Sequence, residues 1–439
     1  MSRPLRIGMF VGAFPVASET FILRQITGLL EMGHDVHIFA NTRGDDGIVH
    51  EAFARHRLLE RTTYVDGPPE SVVWEMPVTP LREQTWPPGS EEAIPNRRRL
   101  AEAIPALARC ALSAPRLTRS LLDQSEYSYR ARSLSGLFRL RTLLNVHGKF
   151  DVLHAHFGPV GNCFRFARAL FRAPFVVSFH GYDFSTVPRK EGRGVYQKLF
   201  ATSDAVTANS DYTRARLEAL GCPANKIANL PVGLNPDEFS YRARTLGAGE
   251  TVRILTVARL VEIKGHEFVL RALARLKSRM GGLRYDIVGD GPLRHQLERL
   301  RTELQLGDVV RFHGALAEED VRRTFANGHI FVLCSVSVDG DEEGQGLVLQ
   351  EAQACGLPVL ATRHGAFAEG IAPENRYWLV PQRDVEALTT KLHELIEAHV
   401  QWPAIGNAGR TFMDKRYDIR LLNERLVEIY RNAVREYAR

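Results

Sequence analysis

The 439-residue sequence has few cysteines and no long apolar run, and each shortage excludes a class of protein. Its five cysteines are scattered and form no C-x-x-C pair, so the sequence predicts neither a disulfide framework nor a thiolate zinc site. No stretch reaches the roughly 18 apolar residues of a membrane-spanning helix. The N-terminal M-S-R-P-L-R-I-G-M-F-V-G-A-F has only a short apolar run, which indicates a first strand and not a signal peptide. These features predict a cytoplasmic protein.

Positive charge is concentrated in one segment of a chain whose formal net charge is +6. Between residues 96 and 149 there are eleven basic and three acidic residues, and leucines and alanines interleave with the arginines at roughly helical spacing. Two interpretations stay open. The segment either forms basic amphipathic helices that contact anionic lipid at the inner face of the cell membrane, or surface helices whose apolar side packs on the domain. No nucleic-acid-binding motif accompanies the arginines, so no nucleic-acid partner is predicted.

Strand and helix patterns alternate along both halves of the chain. A strand at 5–11, a helix at about 18–32 capped by Ser18 and stopped by Gly33, and a strand at 36–40 predict a βαβ opening and hence a parallel sheet. Residues 65–95 show no period and predict an irregular excursion. A second alternation starts with the strand at 252–258. The sequence therefore predicts an α/β fold of two doubly wound, Rossmann-like domains with ligands at the carboxyl ends of the strands.

The most informative stretch is D-G-D-E-E-G-Q-G-L-V-L-Q-E-A-Q-A-C-G-L-P-V-L-A-T, at 339–362. It joins an acidic, glycine-rich loop to a helix and a strand. Gly344 and Gly346 leave backbone N–H groups open at a helix start, where the helix dipole favours an anion such as a nucleotide diphosphate. In a continuous helix, Glu343 and Glu351 would be separated by about 12 Å of rise. A glycosidase needs its carboxyl pair within roughly 5 to 9.5 Å, so this class is disfavoured.

Two cations follow the strand at 252–258, in V-A-R-L-V-E-I-K-G-H. Arg259 and Lys264 there can neutralise the charge that builds on a diphosphate as its bond to a sugar breaks. Alone, an arginine and a lysine on a loop would more often be solvated charges. The presence of the acidic, glycine-rich loop at 339–346 in the same half of the chain favours the functional interpretation.

Histidines follow two predicted strands of the N-terminal half. His180, in V-V-S-F-H-G-Y-D, is a candidate hydrogen-bond donor, with Asp183 as a positioning group. A lone histidine after a strand is otherwise commonly structural. His154 and His156 share a strand face in H-A-H-F-G, but no third ligand has a sensible spacing, so the sequence predicts no metal site and leaves both as site-lining or structural.

The segment G-D-G-P-L-R at 289–294 is not a dinucleotide fingerprint, because Arg294 stands where the third glycine belongs. A dehydrogenase is therefore not predicted.

The stretch from Glu343 to Glu351 resembles the Glu-x7-Glu pattern of retaining glycosyltransferases of family 4, which have the two-domain GT-B architecture. The segments V-A-R-L-V-E-I-K-G-H, D-G-P, A-N-S-D-Y-T, P-V-G-L-N-P-D-E-F and V-V-R-F-H-G are also similar to that family. Near the N-terminus, F-P-x-x-S-E-T-F-I resembles its exopolysaccharide branch, the colanic acid and amylovoran transferases. Relatives carry two glycines in that loop, whereas this chain has only Gly12. The resemblance spans nearly the whole chain and is weakest between 41 and 145.

The resemblance implies a role for each matching residue. Glu343 would bind hydroxyls of the donor sugar, Glu351 the nucleotide ribose, and His313 would border the base. Candidate catalytic residues are His180, Arg259, Lys264 and Glu343. Candidate donor-binding residues are Gly289, Gly291, His313, Gly344, Gln345, Gly346, Leu347 and Glu351. Candidate acceptor-side residues are Ser18, Glu19, Thr20, His156 and Asp183.

The resemblance also implies an organisation and an activity. Residues 1–235 would form an acceptor-binding domain with a basic helical excursion at 96–149, residues 236–416 a nucleotide-sugar-binding domain across a cleft, and residues 417–439 a helix that crosses back to the first domain. The expected activity is retaining hexosyl transfer, without metal or cofactor, from a UDP- or GDP-sugar to a saccharide or lipid-linked oligosaccharide in exopolysaccharide synthesis. A GT-B epimerase, hydrolase or phosphorylase, or a non-catalytic membrane-associated component of polysaccharide assembly, remain the alternatives.

Overall fold

The computed structural model describes residues 3–16, 19–44, 51–65, 97–127 and 129–439, and the chain divides into two compact units. The first comprises Met1–Ala208, Arg214–Leu230 and Asn423–Arg439, and the second comprises Asn209–Thr213 and Pro231–Leu422. The units differ from the predicted boundaries by short segments. Residues 209–213, 231–235 and the beginning of the last helix cluster with the second unit. Most of the excursion predicted at 65–95 lies outside the described residues.

Parallel strands form the sheet of the first unit, and in the described part of the chain it has seven, in the order β3-β2-β1-β4-β5-β6-β7. Ile7 of β1 lies beside Val36 of β2 on one side and Val152 of β4 on the other. The strands β4 and β5 at the centre are buried along both faces, as expected for a sheet covered by helices on both sides. The strands are β1 (Arg6–Phe14), β2 (Asp35–Arg43), β3 (Thr62–Tyr64), β4 (Val152–His156), β5 (Phe175–Phe179), β6 (Ala205–Ala208) and β7 (Ile227–Asn229).

Helices connect these strands. They are α1 (Thr20–Glu31), α2 (Glu51–Arg55), α3 (Arg97–Ser113), α4 (Pro115–Leu122), α5 (Gln124–Tyr127), α6 (Tyr129–Arg132), α7 (Ser135–Leu143), α8 (Gly158–Phe164), α9 (Ala167–Phe171), α10 (Thr186–Glu191), α11 (Gln197–Thr202) and α12 (Asp211–Ala219). Helix α1 buries Ile22, Ile26 and Leu29 on one stripe and ends before Gly33, as predicted. The predicted cap Ser18 lies outside the described residues. Glu19 occupies the position before the helix and makes no side-chain capping bond.

The second unit repeats the plan with parallel strands in the order β10-β9-β8-β11-β12-β13. Neighbouring side chains of β8 pack on opposite faces of the sheet, because side chains alternate along a strand. Ile254 belongs to the hydrophobic cluster that contains Leu270, and Leu255 belongs to the cluster that contains Phe325. The strands are β8 (Val252–Val257), β9 (Leu283–Val288), β10 (Val310–Gly314), β11 (Ile330–Leu333), β12 (Val359–Thr362) and β13 (Leu379–Val380). The helices are α13 (His266–Lys277), α14 (Arg294–Glu303), α15 (Glu318–Asn327), α16 (Leu347–Ala354), α17 (Phe367–Gly370), α18 (Val385–Glu397), α19 (Trp402–Arg416) and α20 (Ile419–Tyr437).

The C-terminal part of α20 clusters with the first unit. There Leu426 and Tyr430 are fully buried, and the Tyr430 hydroxyl lies 2.6 Å from Nδ1 of His154 on β4. Among the described residues, none of the helices has the length and apolar character needed to cross a bilayer.

Both sheets confirm the predicted doubly wound fold, and in both the strand order reverses next to the first strand. The reversal lies between β1 and β4 in the first unit and between β8 and β11 in the second. Connections leave the carboxyl ends of these two strands in opposite directions, which opens a crevice for ligands. Each unit therefore has one expected ligand-binding position, at the strand-order reversal of its sheet.

Candidate functional site

In the second unit, an ion pair joins the loops that follow β8 and β11. The Lys264 ammonium donates to a carboxylate oxygen of Glu343 at 2.5 Å, and the two side chains are 16% and 19% exposed. The residues are 79 apart in sequence but meet at the strand-order reversal of the sheet. The pair, together with Arg259 and the first turn of α16, is called here the second-unit site.

Glu343 is held by its backbone as well as by its charge. Its N–H donates to Nε2 of His364 at 3.0 Å, and its carbonyl accepts from the Ala366 N–H at 3.1 Å. His364 follows β12, so a third strand end holds the Glu343 backbone. These bonds fix the position of the Glu343 backbone, from which the side chain extends to Lys264.

The charge state of Glu343 results from two opposing effects. Burial would raise the pKa of its carboxyl, but the charge and hydrogen bond of Lys264, with further contributions from His364 and Arg259, lower that pKa overall. Glu343 is therefore ionised at neutral pH and can accept hydrogen bonds.

The loop that carries the two cations is packed against its surroundings. Gly265 has φ of 61°, and a Cβ there would lie 1.9 Å from the Cys334 carbonyl oxygen, so only glycine fits. Nε2 of the buried His266 donates to the Arg259 carbonyl at 3.0 Å, and burial lowers the pKa of His266 to about 4. The Arg259 side chain is exposed and has no hydrogen bond or ion pair to the described residues. This packed loop thus presents a cation that is available to an anionic ligand.

The glycine-rich loop before α16 has two parts with different surroundings. Gly346 precedes the helix with φ of 76°, and a Cβ there would lie 2.6 Å from the Phe367 ring. Leu347 begins the helix and is half-buried, as is Glu351 one turn later. The first turn of an α-helix has N–H groups without intrahelical acceptors, next to the positive end of its dipole. Since Glu343 lies just before this turn, the structure brings the predicted anion-binding elements together.

Two other predicted donor residues of this loop are engaged inside the unit. The Gln345 side chain is buried and exchanges two hydrogen bonds with the backbone of Val232, at 2.7 and 2.8 Å. The carbonyl of buried Gly344 accepts from the Ser210 hydroxyl at 2.7 Å. Both residues shape the loop through these contacts.

The residues predicted from β9 and β10 lie at the same sheet edge. The Gly289 N–H donates to the Gly314 carbonyl at 2.7 Å, and the Gly291 N–H donates to Asp290 at 2.7 Å. His313 Nε2 lies 2.7 Å from an Asp286 oxygen, and Asp286 also accepts from Arg284. The His313 ring is one-third exposed and is oriented by this carboxylate.

In the first unit, two predicted histidines are hydrogen-bonded to each other. His156, at the end of β4, places Nδ1 at 3.0 Å from Nε2 of His180, which follows β5. The rings of Phe21 and Phe157 flank His180 with centroids at 4.8 and 4.7 Å. Burial lowers the pKa of His180 to about 3 and that of His156 well below its usual value. Both rings are therefore neutral near pH 7, and one donates to the other.

Asp183 organises the loop that carries His180. Its carboxylate accepts from the N–H groups of Gly181 at 2.8 Å, His180 at 3.1 Å and Gly158 at 3.2 Å. Burial raises the pKa of Asp183 to about 6 although these bonds lower it. His156, His180 and Asp183 form what is called here the first-unit cluster.

The predicted acceptor-side residues of the first loop are only partly described. Ser18 lies outside the described residues, Glu19 is buried, and Thr20 begins α1. Burial raises the pKa of Glu19 to about 7. This loop follows β1 and His156 ends β4, so both belong to the strand-order reversal of the first sheet.

His154 has the structural role that the sequence left open. It is fully buried, with Nδ1 at 2.6 Å from the Tyr430 hydroxyl and Nε2 at 2.7 Å from the Ser178 hydroxyl. Its ring is occupied on both sides and links β4 to α20.

Comparisons with known proteins show the family of the chain. The family description "Glycosyl transferase 4-like domain" matches residues 17–233, and "Glycosyl transferases group 1" matches residues 237–411. The putative colanic acid biosynthesis glycosyltransferase WcaL of Escherichia coli (strain K12) is 32% identical over 392 residues, which are 88% of this chain and 90% of that protein. The chain belongs to the group 1 glycosyl transferases.

Two further proteins resemble this group 1 glycosyl transferase over nearly its whole length. The amylovoran biosynthesis glycosyltransferase AmsK of Erwinia amylovora is 29% identical over 437 residues, 97% of this chain and 99% of that one. The crystal structure of Anabaena Alr3699/HepE in complex with UDP is similar with a TM-score of 0.64 at 16% identity, covering 97% and 98% of the two chains. The latter likeness concerns the fold.

Sequence reasoning missed three residues that position side chains of the candidate site in this glycosyl transferase. They are His364, which holds the Glu343 backbone, His266, which holds the loop of Arg259, and Asp286, which orients His313. A signal for the first was present, because His364 lies two residues after the strand predicted at the end of the 339–362 stretch. His266 ends the segment V-A-R-L-V-E-I-K-G-H, which resembles the family, whereas Asp286 carries no distinguishing local pattern.

No cluster of three or more His, Cys, Asp or Glu side chains with metal-binding geometry occurs among the residues that the structure describes. The expectation of a metal-independent enzyme stays a prediction.

Proposed function

We propose that this glycosyl transferase is a retaining hexosyltransferase, which moves a sugar from a UDP- or GDP-sugar to a glycan or lipid-linked saccharide in bacterial exopolysaccharide synthesis. The ion pair between Lys264 and Glu343 beside the first turn of α16 carries the proposal. At this point one sheet edge combines a lysine, an exposed arginine and a helix N-terminus with an ionised carboxylate. Such a set suits a ligand with an anionic diphosphate and a hydroxyl-rich sugar.

Each group has a distinct task in the proposed reaction. Lys264 and Arg259 neutralise the diphosphate as its bond to the sugar breaks, when its negative charge is greatest. Glu343 accepts hydrogen bonds from sugar hydroxyls, and Glu351 binds the ribose. The leaving phosphate takes the proton of the incoming hydroxyl on the same face of the sugar, so the anomeric configuration is retained. No metal takes part in this scheme.

The first-unit cluster is proposed to contact the saccharide. Because burial keeps His156 and His180 neutral, they would act by hydrogen bonding and not by charge. Glu19 and Thr20 are proposed for the acceptor, since their loop and His156 share the strand-order reversal of this sheet. The names of the colanic acid and amylovoran relatives support an exopolysaccharide acceptor.

Calorimetry with UDP and GDP tests the binding half of the proposal. The wild type should bind one of the two nucleotides, and Lys264→Ala should weaken that binding at least tenfold. Lys391→Ala is the matched control, because Lys391 pairs with Glu394 at 2.7 Å in the same unit but outside the site. A wild type that binds neither nucleotide would instead indicate a non-catalytic component of an assembly complex.

A product assay tests the catalytic half. Nucleotide sugars are screened with saccharide acceptors, and the configuration of the new bond is read by NMR. Transfer with retained configuration, unchanged after treatment with EDTA, is expected. Free sugar or sugar phosphate as the only product would favour a hydrolase or phosphorylase, and a free sugar of altered configuration would favour an epimerase. Activity that is lost with EDTA and restored by a divalent cation would refute metal independence.

A further inference from the structure

Helices α3 and α4 have an apolar face that the described part of the chain leaves exposed. On α3 the inner face is accounted for, since Ala103 and Ala106 pack with Phe138 of α7 and the Cys110 thiol lies against the Leu137 carbonyl. The outer face is apolar as well. Ile104 is 70% exposed and Leu112 is 87% exposed. A solvated helix ordinarily carries polar residues there.

The exposed apolar residues form a continuous stripe. Ile104, Leu107, Ala108, Ala111 and Leu112 follow the spacing i, i+3, i+4, i+7, i+8, which places them along one side of the helix. Single exposed leucines are ordinary on a protein surface, but a contiguous patch marks an interaction site.

Helix α4 extends the patch and adds a concave part. Leu122 is 39% exposed, and with Ala111 and Pro115 it lines a groove of about 490 Å³ between the end of α3 and α4. The groove is also lined by Arg119 and Asp123. Ala111, Pro115 and Leu122 form the apolar part of the groove, and Arg119 and Asp123 are its charged residues.

Basic side chains border this patch. Arg116 and Arg119 are exposed on α4, and the exposed Arg109 on α3 donates to the side-chain oxygen of Asn145. The acidic neighbour Asp123 already accepts hydrogen bonds from the backbone and hydroxyl of Ser125. The patch with its three arginines is called here the α3–α4 surface.

We propose that the α3–α4 surface docks on an anionic lipid bilayer. The leucines and Ile104 would enter the boundary between headgroups and acyl chains, while the arginines contact lipid phosphates. A second copy of the chain fits poorly, because it would face three arginines with three arginines. Nucleic acid and acidic polysaccharide offer negative charge but no apolar layer for the stripe. An anionic bilayer matches both halves of the surface.

Sedimentation of the full-length protein with lipid vesicles tests the proposal. The wild type should bind vesicles of phosphatidylglycerol and phosphatidylcholine at least tenfold more tightly than vesicles of phosphatidylcholine alone. The double variants Ile104→Ser with Leu112→Ser and Arg116→Glu with Arg119→Glu should each weaken binding to the mixed vesicles at least tenfold. Circular dichroism checks that both variants are folded.

Matched controls lie on exposed parts of the second unit. Val400→Ser removes an apolar side chain that is 81% exposed, and Arg279→Glu with Arg299→Glu reverses two exposed charges, so neither should change vesicle binding. Equal binding of the wild type to both kinds of vesicle, or none, overturns the proposal and leaves another part of the chain or a second copy as the cover. Loss with the arginine variants but not with the apolar ones would also overturn it, since a soluble polyanion would then suffice.

The docking test is independent of the proposed transferase activity. Vesicle binding does not require a donor or an acceptor. If binding holds and no transfer is found, the proposed function fails and the docking stands.

Discussion

At the scale of the residue, the second-unit site depends on the balance between one cation and one anion. Lys264 lowers the pKa of Glu343 against the effect of burial, and the two groups are only partly exposed. Removing either side chain leaves the other with a charge that has lost its partner. The pair is therefore the most sensitive point of the proposed donor site.

Replacement of either member should greatly reduce catalysis. Lys264→Ala and Glu343→Gln should each lower kcat/KM by about 100-fold or more, which corresponds to roughly 3 kcal/mol of transition-state stabilisation. Steady-state kinetics with the donor found by screening measures the effect. Lys391→Ala, which breaks the Lys391–Glu394 pair, should behave as the wild type. Turnover near the wild-type level in folded Lys264→Ala would remove these residues from the mechanism.

At the scale of the element, α20 is tied to the central sheet of the first unit by a buried hydrogen bond. The Tyr430 hydroxyl, His154 and Ser178 form a chain that continues to Thr207, where the two hydroxyls are 2.6 Å apart. These groups lie out of contact with water, so each depends on its protein partner. The C-terminal helix is thus a structural part of the first unit.

Removing the hydroxyl should destabilise the protein without altering its shape. Tyr430→Phe leaves Nδ1 of His154 without a partner and should lower the free energy of unfolding by about 1–3 kcal/mol. Urea denaturation followed by circular dichroism measures this change. Tyr437→Phe in the same helix is the control, because its ring contact with Arg168 does not need the hydroxyl. Equal stability of the two variants would contradict a role for the buried bond.

At the scale of the whole molecule, buried titratable groups of the first unit make stability depend on pH in two opposite senses. Burial lowers the pKa of His154 and His180 to about 3. Their contribution is present above the unfolded value near 6.5 and is lost as pH falls toward 3. Burial raises the pKa of Glu19 to about 7, so its contribution is present below 4.5 and is lost as pH rises through 7.

Glu19→Gln should separate the two effects. The variant keeps the side-chain shape but cannot ionise. The free energy of unfolding of the variant minus that of the wild type should therefore increase as pH rises from 5 to 8, by up to about 3 kcal/mol. Urea midpoints at several pH values measure the difference. Glu424→Gln, at an exposed position of α20, should show no such trend. A constant difference between Glu19→Gln and wild type would mean that Glu19 titrates normally.

Much of the fold was predictable because its signals are local. The strand at 36–40 and the helix stop at Gly33 come from neighbouring residues, and both agree with the structure. Short edge strands such as β3 and β13 were missed, since two or three residues carry too little pattern to be recognised. The resemblance that named Glu343 and Lys264 rested on spacing within single segments.

Contacts between distant segments were not predictable. The resemblance assigned Lys264 and Glu343 to one donor site, but nothing in the sequence indicates that the two side chains pair directly or that His364 holds the Glu343 backbone. These contacts form only when parallel strands bring their loops to one edge. For the α3–α4 segment, the sequence likewise did not determine which face is buried. Its periodicity predicted amphipathic helices and left open whether their apolar side packs on the domain, and the fold determined which apolar face was packed.

The sequence by itself determined the alternation of strands and helices, the glycines at the sharp turns and the chemical types of the candidate site residues, because each depends on a few adjacent residues. Tertiary structure alone decided which charges pair, which histidines are buried neutral and which helix face stays exposed. Those properties depend on solvent access and on distances between segments far apart in the chain, and both exist only after the two sheets have formed.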